Sequence, residues 1–368
     1  MSFAVKSTIT LCDSFQNFLD RWKVGRSDLI ITNEYVLSPH LGGNVTPCDT
    51  LYQEKFGKGE PSDEMVDAML SVAGDKEYER IIAIGGGTVI DIAKLFVFGS
   101  GLRCEEIFKG GTDLPRRRNL VIIPTTCGTG SEVTSLSIIE FKAKQTKLGL
   151  GIPALLADEA VLIPSMLATL PYGVFAASSI DALIHAVESY VSPKADAFTR
   201  SLGKTAIEMI LRGYRDLVAD GGQGRLPADM ADFLTASTMA GIAFGNAGVG
   251  AVHALSYPIG GGYHIPHGNA NYMMFQAVFT AYRQQGADLS LVEKVLAEAL
   301  DCTGDTWTAL FSLLDNILTR QPLRALGVGE NECLEMAESV IKNQQRLLAN
   351  NPVALNQEVI ADIYRGCD

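Results

Sequence analysis

Residues 252–268 read VHALSYPIGGGYHIPHG and hold three of the chain's five histidines: His253, His264 and His267. The wider segment 233–282 contains no Asp, Glu, Lys or Arg. A segment without charge suits a buried site, because an unpaired charge is costly to bury. Imidazoles placed there either hydrogen-bond as neutral groups or coordinate a metal. Upstream, in DALIHAVESY, Asp181 and His185 stand four residues apart, on one face of a helix. Together Asp181, His185, His253 and His267 would give one oxygen and three nitrogens, a set that suits iron(II), zinc or a similar divalent ion. An Asp and a His at this spacing also occur on ordinary helix faces, and His253 taken alone fits a hydrogen-bonded core histidine. The gathering of four of the five histidines into two short apolar segments favours the metal.

The elements that must carry these residues fall into two textures. In the amino half, residues 29–32 (LIIT) read as a buried strand ending at Asn33 and Glu34, the short apolar run typical of a parallel sheet. Residues 63–72 read as a helix. Residues 81–84 form a second strand, Gly85-Gly86-Gly87 a tight turn and residues 88–96 a helix, with Thr88 and Asp91 in a capping pattern. Glycines let the backbone approach a phosphate, and a helix amino end offers free N–H groups. The spacing is not GxGxxG, so the expectation is a variant dinucleotide fold; such turns also serve as plain connections. Residues 120–123 form another strand leading into PTTCGTGSEVT, where Thr125, Thr126 and Thr129 offer hydroxyls at a strand's carboxyl end, the place where open sheets bind ligands. A Ser/Thr turn without a ligand reads the same way. From about residue 171 helical periodicity takes over, at 180–190, 199–217, 228–244, 291–300, 308–320 and 331–347. The expectation is an α/β dinucleotide-binding domain over residues 1–170, built on a parallel, Rossmann-like sheet, and an all-helical metal- and substrate-binding domain over residues 171–368.

Four motifs in order, GGGTVIDIAK, PTTCGTGSEVT, DALIHAVESYVS and HALSYPIGGGYHIPHG, resemble the iron-containing (group III) alcohol dehydrogenases, over essentially the whole chain. The resemblance implies a dehydroquinate synthase-like architecture and a catalytic metal, iron(II) or else zinc, on Asp181, His185, His253 and His267. It implies dinucleotide contacts from Gly86, Gly87, Thr88, Thr125, Thr126 and Thr129, and a ribose contact from Lys147. The reaction implied is reversible hydride transfer between an alcohol carbon and nicotinamide, in which a divalent ion acts as a Lewis acid and the cofactor carries the hydride. The pairing of HALSYPxGG with HxPHG resembles the branch acting on 4-hydroxybutyrate; a short-chain alcohol or diol dehydrogenase of the same family is the alternative. A lyase of the dehydroquinate synthase kind and a non-catalytic metal or nucleotide sensor are rival readings from other classes.

Two positions depart from the family pattern. Tyr257 stands where most members have a histidine four residues after the ligand matching His253, and a phenol is a poorer proton carrier than an imidazole at neutral pH. His264 then becomes a candidate for the proton path. Asn33 takes the strand-end position where an acidic residue usually holds the ribose of NAD, and Glu34 follows it. No arginine adjoins them to receive a 2′-phosphate, so NAD is expected over NADP. A substrate carboxylate would want a cation; Arg283, Lys142 and the run Arg116-Arg117-Arg118 are candidates, the run reading more readily as a solvated loop.

Composition narrows the partners. The 368 residues are 47% hydrophobic and carry a net charge of −12, which argues against nucleic acid or an anionic membrane. Glycines, two prolines and the histidines break the uncharged 233–282 segment, so no membrane span is expected. Seven scattered cysteines without a CxxC pair suit reduced thiols, and the amino terminus lacks the shape of a signal peptide. The expectation is a cytoplasmic homodimer acting on a small alcohol or aldehyde.

Overall fold

The computed structural model describes residues 3–74, 76–99, 101–144 and 146–367. Two compact units emerge: Val5–Leu170, and Pro171–Asp368 together with Met1–Ala4.

The first unit alternates strands and helices: β1 (Thr8–Leu11), α1 (Phe15–Arg21), β2 (Asp28–Thr32), α2 (Glu34–Leu37), β3 (Asp49–Tyr52), α3 (Asp63–Ala73), β4 (Arg80–Gly85), α4 (Gly87–Leu95), α5 (Cys104–Gly110), β5 (Asn119–Pro124), β6 (Leu136–Phe141), β7 (Thr146–Gly151) and β8 (Glu159–Leu162). Among the described residues, six strands form one parallel sheet in the order β1-β8-β5-β4-β2-β3. Every residue of β2 is buried, as are all but the first of β4 and of β5. Strands covered on both faces lose the polar alternation of a half-solvated sheet, which is why these runs read as continuous apolar blocks. On one face Leu29, Ile31, Ile81, Ala83, Leu120 and Ile122 share a core with Val66 and Met69 of α3 and Ile90 and Ala93 of α4. The antiparallel hairpin β6–β7, which the sequence reading does not anticipate, adds Ile139, Phe141 and Leu150 to that core.

Two readings need correction. Thr88 and Asp91 do not form a cap. Helix α4 starts at Gly87 with Gly86 at its cap position, so Thr88 lies already inside the first turn. The Asp91 carboxylate instead accepts a hydrogen bond from the Ile138 amide of the hairpin. Nor is the arginine run a solvated loop. Arg118 is buried and donates to the carbonyls of Phe96 and Lys76, while Arg116 donates to the Leu156 carbonyl and pairs with Asp158. Guanidinium groups with five donors satisfy several carbonyls at once, which suits them to pinning loops.

The second unit is helical: α6 (Tyr172–Val191), α7 (Ala197–Ala219), α8 (Met230–Ala247), α9 (Ala251–Tyr263), α10 (His267–Gln284), α11 (Ser290–Leu300), α12 (Thr306–Asp315), α13 (Glu330–Asn343), α14 (Gln345–Leu348) and α15 (Gln357–Arg365). Helix α6 is buried along most of its length and packs against α7, α8 and α10. Periodicity points to no helix between residues 245 and 290, yet α9 and α10 fill most of that span. Pro258 and Gly260-Gly261-Gly262 lower helix propensity there, but packing of Val252, Ala254, Leu255 and Ile259 into the core overrides it. Among the described residues no helix is long and apolar enough to cross a membrane.

Candidate metal centre

Helix α6 presents Asp181, His185 and Glu188 at positions i, i+4 and i+7, one buried face. Helix α9 brings His253 and helix α10 brings His267 to the same face. Asp181, His253 and His267 each offer one ligand atom, and the three atoms lie within 4.8 Å of one another. Asp181 Oδ1 stands 3.6 Å from His253 Nε2 and 3.9 Å from His267 Nε2. His185 does not join that mutual set. Its Nδ1 is 3.9 Å from Asp181 Oδ2, and its ring is stacked between Phe244 and His253, with centroids 4.3 and 4.6 Å away.

Two residues absent from the sequence reading complete the arrangement. Glu188 is buried and uses both oxygens: Oε1 accepts from the Val252 amide at 2.7 Å, and Oε2 lies 2.6 Å from His253 Nδ1. The first bond satisfies an amide in the opening turn of α9, where helix N–H groups lack partners and a negative charge is favoured. The second sets the tautomer. With Nδ1–H donated to Glu188, the neutral ring that a bound cation requires would carry its lone pair on Nε2, facing Asp181. That Nε2 is buried and has no hydrogen-bond partner. Asn271, one turn after His267, is fully buried and donates from Nδ2 to Asp181 Oδ1 at 2.6 Å. Glu188 is one turn beyond His185 and Asn271 one turn beyond His267, a spacing that becomes informative once the burial of α6 and α10 is known.

The charges fit a cation. Burial alone would raise the carboxyl of Asp181, but the imidazoles of His185, His267 and His253 hold it well below the usual range. Burial likewise works against a charged His253, and Asp181 and Glu188 outweigh it, lifting the ring to about 9. A buried carboxylate, a lone ring nitrogen and a tautomer-fixing carboxylate behind it match the donor set and outer support of an N/O metal site.

Two glycines let the helices approach. A Cβ on Gly268 would meet the Ala177 carbonyl oxygen at 2.4 Å, so only glycine lets the first turn of α10 lie on α6 beside Asp181. A Cβ on Gly250 would meet Asn351 Oδ1 at 2.7 Å and Glu188 Oε1 at 3.3 Å. Asn351 Oδ1 in turn accepts from the Tyr282 hydroxyl. The site is dry on three sides: His253, Asp181 and His185 are all buried, whereas the His267 side chain is 39% exposed and marks the open side. Tyr257, one turn after His253, has its ring 6.3 Å from that of His267. His264 is exposed, with φ of 55°, and forms the left-handed joint between α9 and α10.

The candidate dinucleotide-contacting residues lie in the first unit. Gly86 and Gly87 open α4, and a Cβ on either would crowd Thr126 or Thr129, at 3.1 and 3.0 Å. The glycine turn and the threonine loop are thus packed together at the carboxyl ends of β4 and β5, with the Thr125 amide bonded to the Gly85 carbonyl. Thr88, Thr126 and Thr129 are partly exposed and Thr125 is buried. Lys147 on β7 pairs with Glu60. The Asn33 side chain is buried against Gln53 and Glu54. Glu34 pairs with Lys55. The cations considered for a substrate carboxylate already have acidic partners, Arg283 with Asp305 and Lys142 with Glu140.

Comparison with known proteins agrees with this architecture. Residues 15–164 match the profile of iron-containing alcohol dehydrogenase, and residues 175–367 that of the Fe-containing alcohol dehydrogenase family, C-terminal. The chain is 46% identical over 356 residues to the 4-hydroxybutyrate dehydrogenase of Clostridium kluyveri, covering 96% of each. It is 34% identical over 360 residues to long-chain-alcohol dehydrogenase 1 of Geobacillus thermodenitrificans, covering 91% of this chain and 88% of that one. The crystal structure of an iron-containing alcohol dehydrogenase from Thermococcus thioreducens superposes with a TM-score of 0.81 at 26% identity, over 100% of this chain and 99% of that one. The fold, the buried carboxylate–imidazole cluster and these matches lead to one assignment: the chain belongs to the iron-containing alcohol dehydrogenase family.

Proposed function

We propose that this protein is a metal-dependent, NAD-linked dehydrogenase of primary alcohols that interconverts 4-hydroxybutyrate and succinate semialdehyde. The observation that carries the reading is the convergence of Asp181, His253 and His267 around a buried ring nitrogen without a partner, in a chain 46% identical to a relative of that activity. Asp181, His185, His253 and His267 are the residues that would hold the ion, iron(II) in the first instance and zinc in the second. When bound, a divalent ion supplies Lewis acidity toward an alcohol or aldehyde oxygen.

The chain's own residues do the rest. Glu188 keeps the His253 Nε2 lone pair directed at the site, and Asn271 holds Asp181 in place. Gly86, Gly87 and Thr88 at the start of α4 would receive the pyrophosphate of the dinucleotide, with Thr125, Thr126 and Thr129 lining the adjoining loop. Lys147 would contact a ribose, and the strand end at Asn33 would lie beside one. Tyr257 and His264 are the groups that move the substrate's proton, Tyr257 beside His267 and His264 from its exposed joint. The enzyme acts as a cytoplasmic homodimer with reduced cysteines, none of the seven being disulfide-bonded.

A spectrophotometric assay with iron(II)- or zinc-loaded protein tests the reading. NADH is expected to form from 4-hydroxybutyrate and NAD at least about tenfold faster, by kcat/KM, than from 1-butanol or 1,3-propanediol. Faster turnover of the uncharged alcohols would reassign the protein to the short-chain alcohol or diol branch. No NADH with any alcohol would remove dehydrogenase activity altogether.

A further inference from the structure

The sheet shows where a dinucleotide's ribose would be read, and the residue there is unusual. Thr32 pairs with Ile84 of β4 on one side and with Tyr52 of β3 on the other. Asn33, Gln53 and Gly85 are therefore the next residues at one edge of three adjacent parallel strands, and Gly86 and Gly87 open α4 at the same edge. In doubly wound sheets this strand end, beside the glycine turn, carries the carboxylate that accepts hydrogen bonds from the ribose hydroxyls. Here it carries an amide, Asn33, which has no charge.

A carboxylate is nevertheless present, delivered by the turn that follows the neighbouring strand β3. Asn33 Nδ2 donates to Glu54 Oε2 at 2.9 Å and to Gln53 Oε1 at 3.1 Å, and the Glu34 amide donates to Glu54 Oε1 at 2.7 Å. Asn33 and Gln53 are buried, so they form a fixed base, while Glu54 is only partly buried and stays accessible. Two of a carboxylate's roughly four acceptor positions are used by these donors, which leaves room for two hydroxyls. Glu34 is not an equivalent candidate, because its carboxylate turns to solvent and pairs with Lys55 at 3.2 Å. Lys55, the cation of the same turn, also sits over the Tyr52 ring at 4.4 Å.

We propose that Glu54 supplies the carboxylate that the second strand lacks: it accepts hydrogen bonds from the vicinal hydroxyls of the adenosine ribose of NAD and repels the 2′-phosphate of NADP. Asn33 is then a positioning residue that orients Glu54. The inference rests on the dinucleotide-binding reading of the glycine turn.

The test is direct binding, without substrate. The full chain is titrated with NADH and with NADPH, followed by nicotinamide fluorescence, as wild type, Glu54→Gln, and Glu54→Gln combined with Asn33→Asp. Wild type is expected to favour NADH. Glu54→Gln is expected to shrink the NADH-to-NADPH preference about tenfold, mostly by weakening NADH, with no fall in melting temperature. Asn33→Asp in that background is expected to restore the preference by returning a carboxylate to the strand end. An unchanged ratio in Glu54→Gln, or an equal loss for both cofactors alongside a lower melting temperature, overturns the proposal and leaves Glu54 a structural cap. Failure of the wild type to bind either dinucleotide overturns the functional reading itself, a separate result.

Discussion

At His253 the two ring nitrogens have different tasks. Nδ1 faces Glu188 and donates its N–H there, and buried Nε2 faces Asp181, where the neutral ring would offer its lone pair to a cation. The side chain that decides this, Glu188, never touches the open side of the site. Glu188→Gln reverses the logic, because the amide can offer an N–H to Nδ1 and so favour the wrong tautomer. Metal affinity is expected to fall about 10–100-fold, measured by competition with a coloured chelator, while the helices still fold. Equal retention by Glu188→Gln and wild type would show that the tautomer does not matter. His264 is the second residue-scale case. If it moves the substrate proton, His264→Ala is expected to lower kcat and shift its pH profile while leaving KM nearly constant; an unchanged profile removes it from the proton path.

The elements place these groups by close backbone approach. Gly268 is the clearest example, since the Ala177 carbonyl occupies the space a methyl group would need. Gly268→Ala is expected to cost about 1–3 kcal/mol by overpacking, read as a lower melting temperature, and to loosen the metal by moving His267 away from Asp181. In the first unit the buried pair Asp91–Lys94 gives a pH signature. Burial raises the Asp91 carboxyl to about 6 even with Lys94 Nζ 3.9 Å away, and burial lowers Lys94. A folded-state value above the unfolded one means the native chain binds the proton more tightly between pH ~4 and ~6. The contribution from this group is fully present below about pH 4 and is lost as pH rises through about 6. Denaturant melts across that range are expected to show this slope flattened in Asp91→Asn. A slope of unchanged size in the variant would mean another group titrates. Such elements are unevenly legible in the sequence. The strands β2, β4 and β5 are legible because double burial writes an unbroken apolar run. Helices α9 and α10 are not, because Pro258 and Gly260-Gly261-Gly262 lower helix propensity within α9, and Gly268 in the first turn of α10 is there for its close approach to Ala177 rather than for propensity. The hairpin β6–β7 is missed for a similar reason: its strands are only partly apolar and its contribution is a few inward residues.

For the molecule as a whole, the fold class follows from the change of texture near residue 171, where alternating strands and helices give way to helices alone. The gathering of Asp181, His253 and His267 is legible too, because uncharged surroundings and clustered histidines are features of composition. The outer support is less so. A single Glu within a helix and a single Asn one turn after a His look like surface residues until the burial of α6 and α10 is known. The arginine run misleads in the opposite direction, since three adjacent cations look solvated although one of them is buried among carbonyls. Central to the account is that one divalent ion is held by a carboxylate and imidazoles from three helices, and calorimetric titration of metal-stripped protein with zinc tests it most directly. One ion bound per chain, with binding abolished in both Asp181→Ala and His253→Ala while their helical circular dichroism is kept, is the expected result. A wild type that binds no ion, or variants that bind it as tightly as wild type, would contradict it.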